Sequence, residues 1–277
     1  GTAVGRTADG GFTTGADGVP LRAPRAAVLD DGGQPAGWTG WLLRERFSLD
    51  AALLEPGELV TRLGELDALL VPDGAAPELG AAQLVALQAW VRAGGTLIGA
   101  RAAGVAVARA AGVTAVRTAE PPSDLQTPGN PVRLLLDATD PVALGERAQS
   151  FALNAQDALL DASGARVVAR YPEDERFFVS GHATGTEALR GRPAVTDETA
   201  GAGRVVLFAF DPVFRGSVEA TQRLVGNALL APPPGGVTLR RAPAPVDPSA
   251  LAAMGGARRD VVVRVAAADE AALLDAA

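Results

Sequence analysis

Four short apolar runs, each followed by a helix-period pattern, constrain this 277-residue chain more than any other feature. Ala26-Ala27-Val28-Leu29 is closed by Asp30-Asp31-Gly32-Gly33, as suits a buried strand ending in a turn. Trp38 to Phe47 then reads as a helix with Trp38, Trp41 and Leu42 on one face and Arg44 and Arg46 off it. Ala68-Leu69-Leu70-Val71 ends in Pro72-Asp73-Gly74 and precedes a helix over Glu78 to Arg92, which Gly94-Gly95 stops. Thr96-Leu97-Ile98-Gly99 leads into a helix through Val107, and the strand Gly203 to Phe210 leads into a helix over Ser217 to Leu230. Short buried strands alternating with helices imply parallel strands joined by right-handed crossovers. The expected fold is α/β: an open, mostly parallel sheet with helices on both faces.

Pro121 to Val195 breaks this rhythm. Its Pro121-Pro122, Asn130-Pro131 and Asp140-Pro141 steps, with strand-like Arg166 to Tyr171 and Phe177 to Ser180, read as an antiparallel excursion beside the main sheet. Residues 1–24 read as a Gly- and Thr-rich linker with one short hairpin, residues 25–231 as the α/β domain, and residues 232–236 as a Pro/Gly linker. Residues 237–277 read as a small α+β tail, with a strand over Asp260 to Val265 and a helix over Ala268 to Ala277. Such a tail is too small for a good core of its own and is expected to dock or to be cut short.

Composition removes several chemistries. With no Cys there is no disulfide, thiol nucleophile or thiolate metal site. A single His, His182, cannot supply the two or three imidazoles usual in zinc hydrolases. A net charge of -7 argues against nucleic acid or anionic membrane as partner. The most apolar stretch, Leu97 to Val116, is interrupted by Arg101 and Arg109, so no segment is expected to span a membrane. The start has neither an initiator Met nor an apolar targeting stretch, which suggests excision from a longer chain.

An ordered set of segments then carries a resemblance: Gly37-Trp38-Thr39-Gly40-Trp41-Leu42-Leu43, Asp67 to Asp73, Trp90-Val91-Arg92-Ala93-Gly94-Gly95-Thr96-Leu97, Leu189 to Val195, and Gly201 to Pro212. From about Arg25 to Leu230 the chain resembles the domain that follows the catalytic domain in large bacterial zinc carboxypeptidase-like metallopeptidases. That domain is similar to the class I glutamine amidotransferase fold. The resemblance implies a place for a nucleophilic Cys on a tight turn after a central strand, beside a helix N-terminus. Here that place is Gly99-Ala100-Arg101-Ala102-Ala103-Gly104, and neither Ala100 nor Arg101 is a nucleophile. The family's His-Pro-Glu corresponds to Asp211-Pro212-Val213, so its base and acid are also missing.

The resemblance thus implies a non-catalytic accessory domain of a secreted or envelope-associated protein. Zinc is expected only in an upstream peptidase domain, with no cofactor in this chain. The expected partners are that peptidase domain of the same polypeptide, or a second copy. The alternative is a module binding carbohydrate or peptide at the carboxyl ends of the strands.

Asp30, Asp31, Asp73, Arg101, Asp211 and Arg215 fall at or just past those strand ends, where open α/β sheets build their clefts. They form either a ligand pocket or docking face, or turn-forming and helix-start residues with the arginines in ion pairs; the second reading is favoured. A hydrolase using Asp211 with Arg215 lacks a second carboxylate with a defined partner. His182, in Ser180-Gly181-His182-Ala183, reads as a loop histidine, and Glu173-Asp174-Glu175 as a solvated hairpin tip, not a calcium loop. Gly94-Gly95 precede their strand, which excludes a dinucleotide-binding turn.

Overall fold

The computed structural model describes residues 4–6, 12–14, 23–74 and 79–231. The chain divides into two units, residues 1–23 with 237–277, and residues 24–236. In the first, β1 (Val4–Arg6) pairs antiparallel with β2 (Phe12–Thr14), Val4 opposite Thr14. The linker at 232–236 and the strand and helix expected at Asp260–Val265 and Ala268–Ala277 lie outside the described residues.

The second unit begins with β3 (Ala26–Leu29), α1 (Gln34–Trp41), β4 (Ala52–Leu54), the short α2 (Leu59–Arg62) and β5 (Ala68–Val71). It continues through α3 (Ala81–Arg92), β6 (Thr96–Ala100) and α4 (Arg101–Ala110). The antiparallel region supplies β7 (Arg117–Ala119), β8 (Pro128–Leu136), β9 (Gln149–Ala155), β10 (Leu159–Asp161), β11 (Arg166–Arg170) and β12 (Pro193–Ala200). The chain then returns through β13 (Gly203–Phe208) and α5 (Glu219–Leu230).

Nine of these strands form one sheet in the order β4-β3-β5-β6-β13-β12-β11-β8-β9, and β7 pairs with β10 as a separate ribbon. The pairings from β4 to β13 are parallel, and those from β13 to β9 antiparallel. Every residue of β3, β5, β6 and β13 is buried, so both faces of the parallel half are covered. Along β8 and β9 buried positions alternate with more open ones, as on a sheet with one covered face. The α/β fold is as expected, and the antiparallel region extends the same sheet instead of lying beside it.

Local differences have local causes. Phe177 to Ser180 is not a strand: Glu175–Phe177 is a 3-10 turn, and Phe178 makes only an isolated bridge to Val132. Asp174 caps that turn by accepting the Arg176 N–H at 3.0 Å, and the Phe177 ring is buried edge-on to Tyr171, 5.3 Å between centroids. The helix expected from Trp38 starts earlier, at Gln34, and loosens into a π-turn over Leu42–Arg46. Trp41, expected on one helix face with Trp38 and Leu42, is 40% exposed, while Leu42 is fully buried. Pro131 is tolerated in β8 because β11 reaches only Leu135 and Leu136; beyond them only the isolated Phe178 bridge flanks β8, and Pro131 serves there as acceptor, its carbonyl taking the Val179 N–H at 3.2 Å.

Candidate functional site at the carboxyl strand ends

The strand order β4-β3-β5-β6-β13 reverses between β3 and β5, and open α/β sheets place ligand clefts at the carboxyl ends of such strands. β9 and β11 run in the same sense as β13, each separated from it by an even number of antiparallel pairings. The segments after β5, β6, β9, β11 and β13 therefore share one end of the sheet.

At the centre is Arg101, on the tight turn between β6 and α4. Its φ is +50°, in the left-handed region that a non-glycine residue adopts only where its surroundings hold it there. Two small residues bring helix and strand into contact. A Cβ on Gly104 would lie 2.4 Å from the Gly99 carbonyl carbon, so α4 can meet β6 this closely only with hydrogen at both positions. The result is a strand-elbow-helix unit with residue 101 presented at its apex.

The Arg101 guanidinium is held on two sides. Nη1 forms an ion pair with Asp73 Oδ2 from the loop after β5, and Nη2 donates to the Gln156 carbonyl after β9. Gln156 also has a positive φ, +61°. Both members of the Arg101–Asp73 pair are largely withdrawn from solvent, at 22% and 19% side-chain exposure.

Two further carboxyls complete the cluster. Asp157 is buried; its Oδ2 accepts from the Tyr171 hydroxyl at 2.6 Å and its Oδ1 from the Ala155 N–H at 3.1 Å. Burial pushes its pKa up to about 7, against the opposing pull of Tyr171, the Ala155 amide and Arg101. The Tyr171 hydroxyl is pushed well above its ordinary value, by burial first and then by Asp157. Asp211, just past β13, accepts the Val213 N–H at Oδ1, 2.8 Å, while its buried Oδ2 has no hydrogen-bond partner. Burial raises its pKa to about 6; nearby Asp73 adds to the rise and Arg101 opposes it. Asp211 lines a mostly apolar recess with Thr39, Pro72, Gly99, Ala100 and Val213, of about 10 Å³, room for about one water molecule.

Of the residues singled out in the sequence, Asp73, Arg101 and Asp211 come together. Asp30 does not join them: its carboxylate accepts the Gly32 N–H at 2.8 Å within its own turn. Asp31 does the same for Gly33 at 2.9 Å, with its other oxygen against Gly74. Arg215 is exposed and lies over the Phe214 ring, 5.2 Å from its centroid. His182 is exposed in its loop. The sequence reading missed Gln156, Asp157 and Tyr171, since β9 carries no apolar run and β11 showed no sign of the acid beside it.

A second concavity, about 660 Å³ and wide open, lies beside the β7–β10 ribbon, with Asp161, Glu173, Glu187, Arg190 and Arg192 among its lining residues. Glu173 thus edges a groove, while Asp174 pairs with Arg176 at 2.6 Å. Among the described residues no group of three or more His, Cys, Asp or Glu is placed to hold a metal ion, and no helix is long and apolar enough to cross a membrane.

No protein-family model and no curated protein sequence matches the chain. Solved structures do match in shape. A ThuA-like protein from Parabacteroides merdae ATCC 43184 superposes with a TM-score of 0.53 at 13% identity, over 80% of this chain and 94% of that one. PurLQS from Thermotoga maritima gives 0.53 at 14% identity, over 75% of this chain and 98% of its own. A β-galactosidase from Bacillus circulans sp. alkalophilus gives 0.52 at 14% identity, over 77% of this chain but only 31% of the galactosidase. The chain therefore spans about a third of that enzyme. These likenesses show the amidotransferase-like fold.

Proposed function

We propose that residues 24–236 form a non-catalytic amidotransferase-like domain that serves as a structural or docking accessory beside the peptidase domain of a zinc carboxypeptidase-like protein. The observation that carries this reading is Arg101. It sits at the apex of the elbow, where the fold's catalytic relatives need a nucleophile, and its guanidinium is turned inward onto Asp73 and the Gln156 carbonyl. A guanidinium offers only N–H donors and no acceptor, so it supplies no nucleophile. The adjoining recess has room for about one water, which favours this reading over a carbohydrate or peptide pocket at the strand ends. The peptidase context rests on the resemblance of residues 25–230, and zinc belongs to that other domain.

The test is C-terminal peptidase activity of the whole zinc-loaded polypeptide, with and without residues 25–231. Loss of turnover or of soluble folding on deletion is the expected result. A deletion protein that folds and turns over at the full rate would overturn the accessory role.

A further inference from the structure

The open groove of about 660 Å³ beside β7 and β10 shares no lining residue with the recess at Asp211. Leu160, Val167 and Pro193, from β10, β11 and β12, give it apolar walls. Asp161 comes from the end of β10, Glu173 from the loop after β11, and Glu187, Arg190 and Arg192 from the turn that leads into β12. Main-chain bonds fix that turn: the Gly191 N–H donates to the Pro172 carbonyl at 3.2 Å and the Tyr171 N–H to the Arg192 carbonyl at 3.0 Å, while Leu189 is fully buried beneath it. Gly191, at φ +70°, sits where a Cβ would come 3.1 Å from Glu173 Cγ, so the turn and Glu173 meet closely. The five charges converge without satisfying one another. Arg190 Nη2 stays 3.8 Å from Glu187 Oε1, too far for a hydrogen bond. Arg192 commits its Nε to the Ala188 carbonyl at 2.6 Å, and Asp161 accepts from Ser163 through Oδ1. Among the described residues no hydrogen bond joins these two guanidiniums to these three carboxylates.

We propose that this groove binds a short peptide carrying a free carboxyl terminus and a cationic side chain. The Nη groups of Arg190 and Arg192 hold the carboxylate, Glu173 and Glu187 hold the cation, and aliphatic parts of the peptide lie against Leu160, Val167 and Pro193. The volume falls within the range of small-ligand sites, about 300–1,000 Å³. Three carboxylates around the groove oppose a simple anion and two guanidiniums oppose a simple cation, so the lining suits a ligand that bears both charges. A sugar ring would find no aromatic face among the described lining residues on which to stack. Arginine N–H groups make charge-assisted, paired bonds to a carboxylate, and a turn already fixed by its own main chain presents them with little ordering left to do. The site goes beyond the accessory role and does not depend on the elbow being inert.

The experiment titrates the isotope-labelled full chain with the N-acetylated tetrapeptide Ala-Lys-Ala-Ala, its carboxyl terminus free, and reads amide shifts by NMR. Saturable shifts are expected at residues 159–162 and 187–192. Amidating the peptide's carboxyl terminus, or replacing its lysine with norleucine, is expected to weaken binding about fivefold in each case. Arg190→Gln narrows the preference for the free carboxylate and keeps that for lysine, and Glu187→Gln does the reverse. Should either variant fail to fold, the two preferences and the shift map of the unsubstituted chain still decide. No saturation up to about 10 mM peptide would overturn the proposal. So would equal binding of the amidated or the norleucine peptide, a carboxylate preference unchanged in Arg190→Gln, or shifts centred on the segments after β5, β6 and β13.

Discussion

Arg101 on the turn after β6 reaches across to Asp73 in the loop after the neighbouring strand β5, so one ion pair ties together two adjacent strand ends. Neither residue is freely solvated, and the guanidinium Nε is buried without a hydrogen-bond partner. Removing the acid alone leaves a partly buried cation held only by a carbonyl. Asp73→Ala is therefore expected to lower stability by about 2–3 kcal/mol, and Arg101→Met in that background to recover part of the loss. Urea denaturation of the two single variants and the double variant measures the coupling. Strict additivity would show that the pair does not act as one.

Asp157 and Asp211 bind protons more tightly in the folded chain than in the unfolded one, where a carboxyl titrates near 3.8. Their contribution to stability is fully present below about pH 4 and is lost as pH rises through about 6 to 7. Burial raises Asp140 and Glu146 as well and adds to the same trend. A carboxyl that titrates one pH unit higher in the folded chain than in the unfolded one contributes about 1.4 kcal/mol at the acid end of that window. Urea midpoints are expected to fall between pH 5 and pH 8, and Asp157→Asn is expected to reduce that fall. An unchanged slope would place the proton elsewhere.

Arg204 and Asp197 form a two-point ion pair at 2.8 Å for each contact, with both side chains fully buried. Arg204 also donates to the Ala231 carbonyl at the end of α5, and Arg166 bridges Asp197 to Asp140. Asp197→Ala leaves a buried guanidinium without its main counter-charge and is expected to cost about 3–5 kcal/mol. Asp197→Asn, which keeps an acceptor oxygen, is expected to cost less, and the thermal midpoints of the two variants give the comparison.

The Gly99–Gly104 contact predicts a steric effect independent of charge. Gly104→Ala drives a methyl into the β6 backbone, which has no flexible side chain to yield. Repacking α4 away from the sheet is expected to cost about 1–3 kcal/mol or more. Gly37→Ala, at a helical position with open space around it, is expected to be neutral or slightly stabilising. Equal Tm values for the two variants would contradict the close packing.

The parallel half was legible because its strands are buried on both faces and so appear as unbroken apolar runs, such as Ala26–Leu29 and Gly203–Phe208. β8 and β12 were not, because Pro131, Asp197 and Glu198 interrupt them; one is a proline that needs only to accept, from Val179, and another a buried charge whose partner, Arg204, lies on the next strand. For the site, position at the strand ends identified Asp73, Arg101 and Asp211, but the same rule also selected Asp30 and Arg215. Turn chemistry explains Asp30, whose acceptor is satisfied two residues away. Asp157 was hidden because its meaning comes from Tyr171 and Arg101, fourteen residues after it and fifty-six before it. No local pattern encodes such a meeting.

Whether the elbow is inert is decided by ammonia release from glutamine by the full chain, measured beside Arg101→Ala. With a guanidinium on the elbow and its charge turned onto Asp73, both proteins are expected to stay at the level of the enzyme-free blank. Turnover by the unsubstituted chain that Arg101→Ala abolishes would contradict the non-catalytic reading and make the elbow an active site.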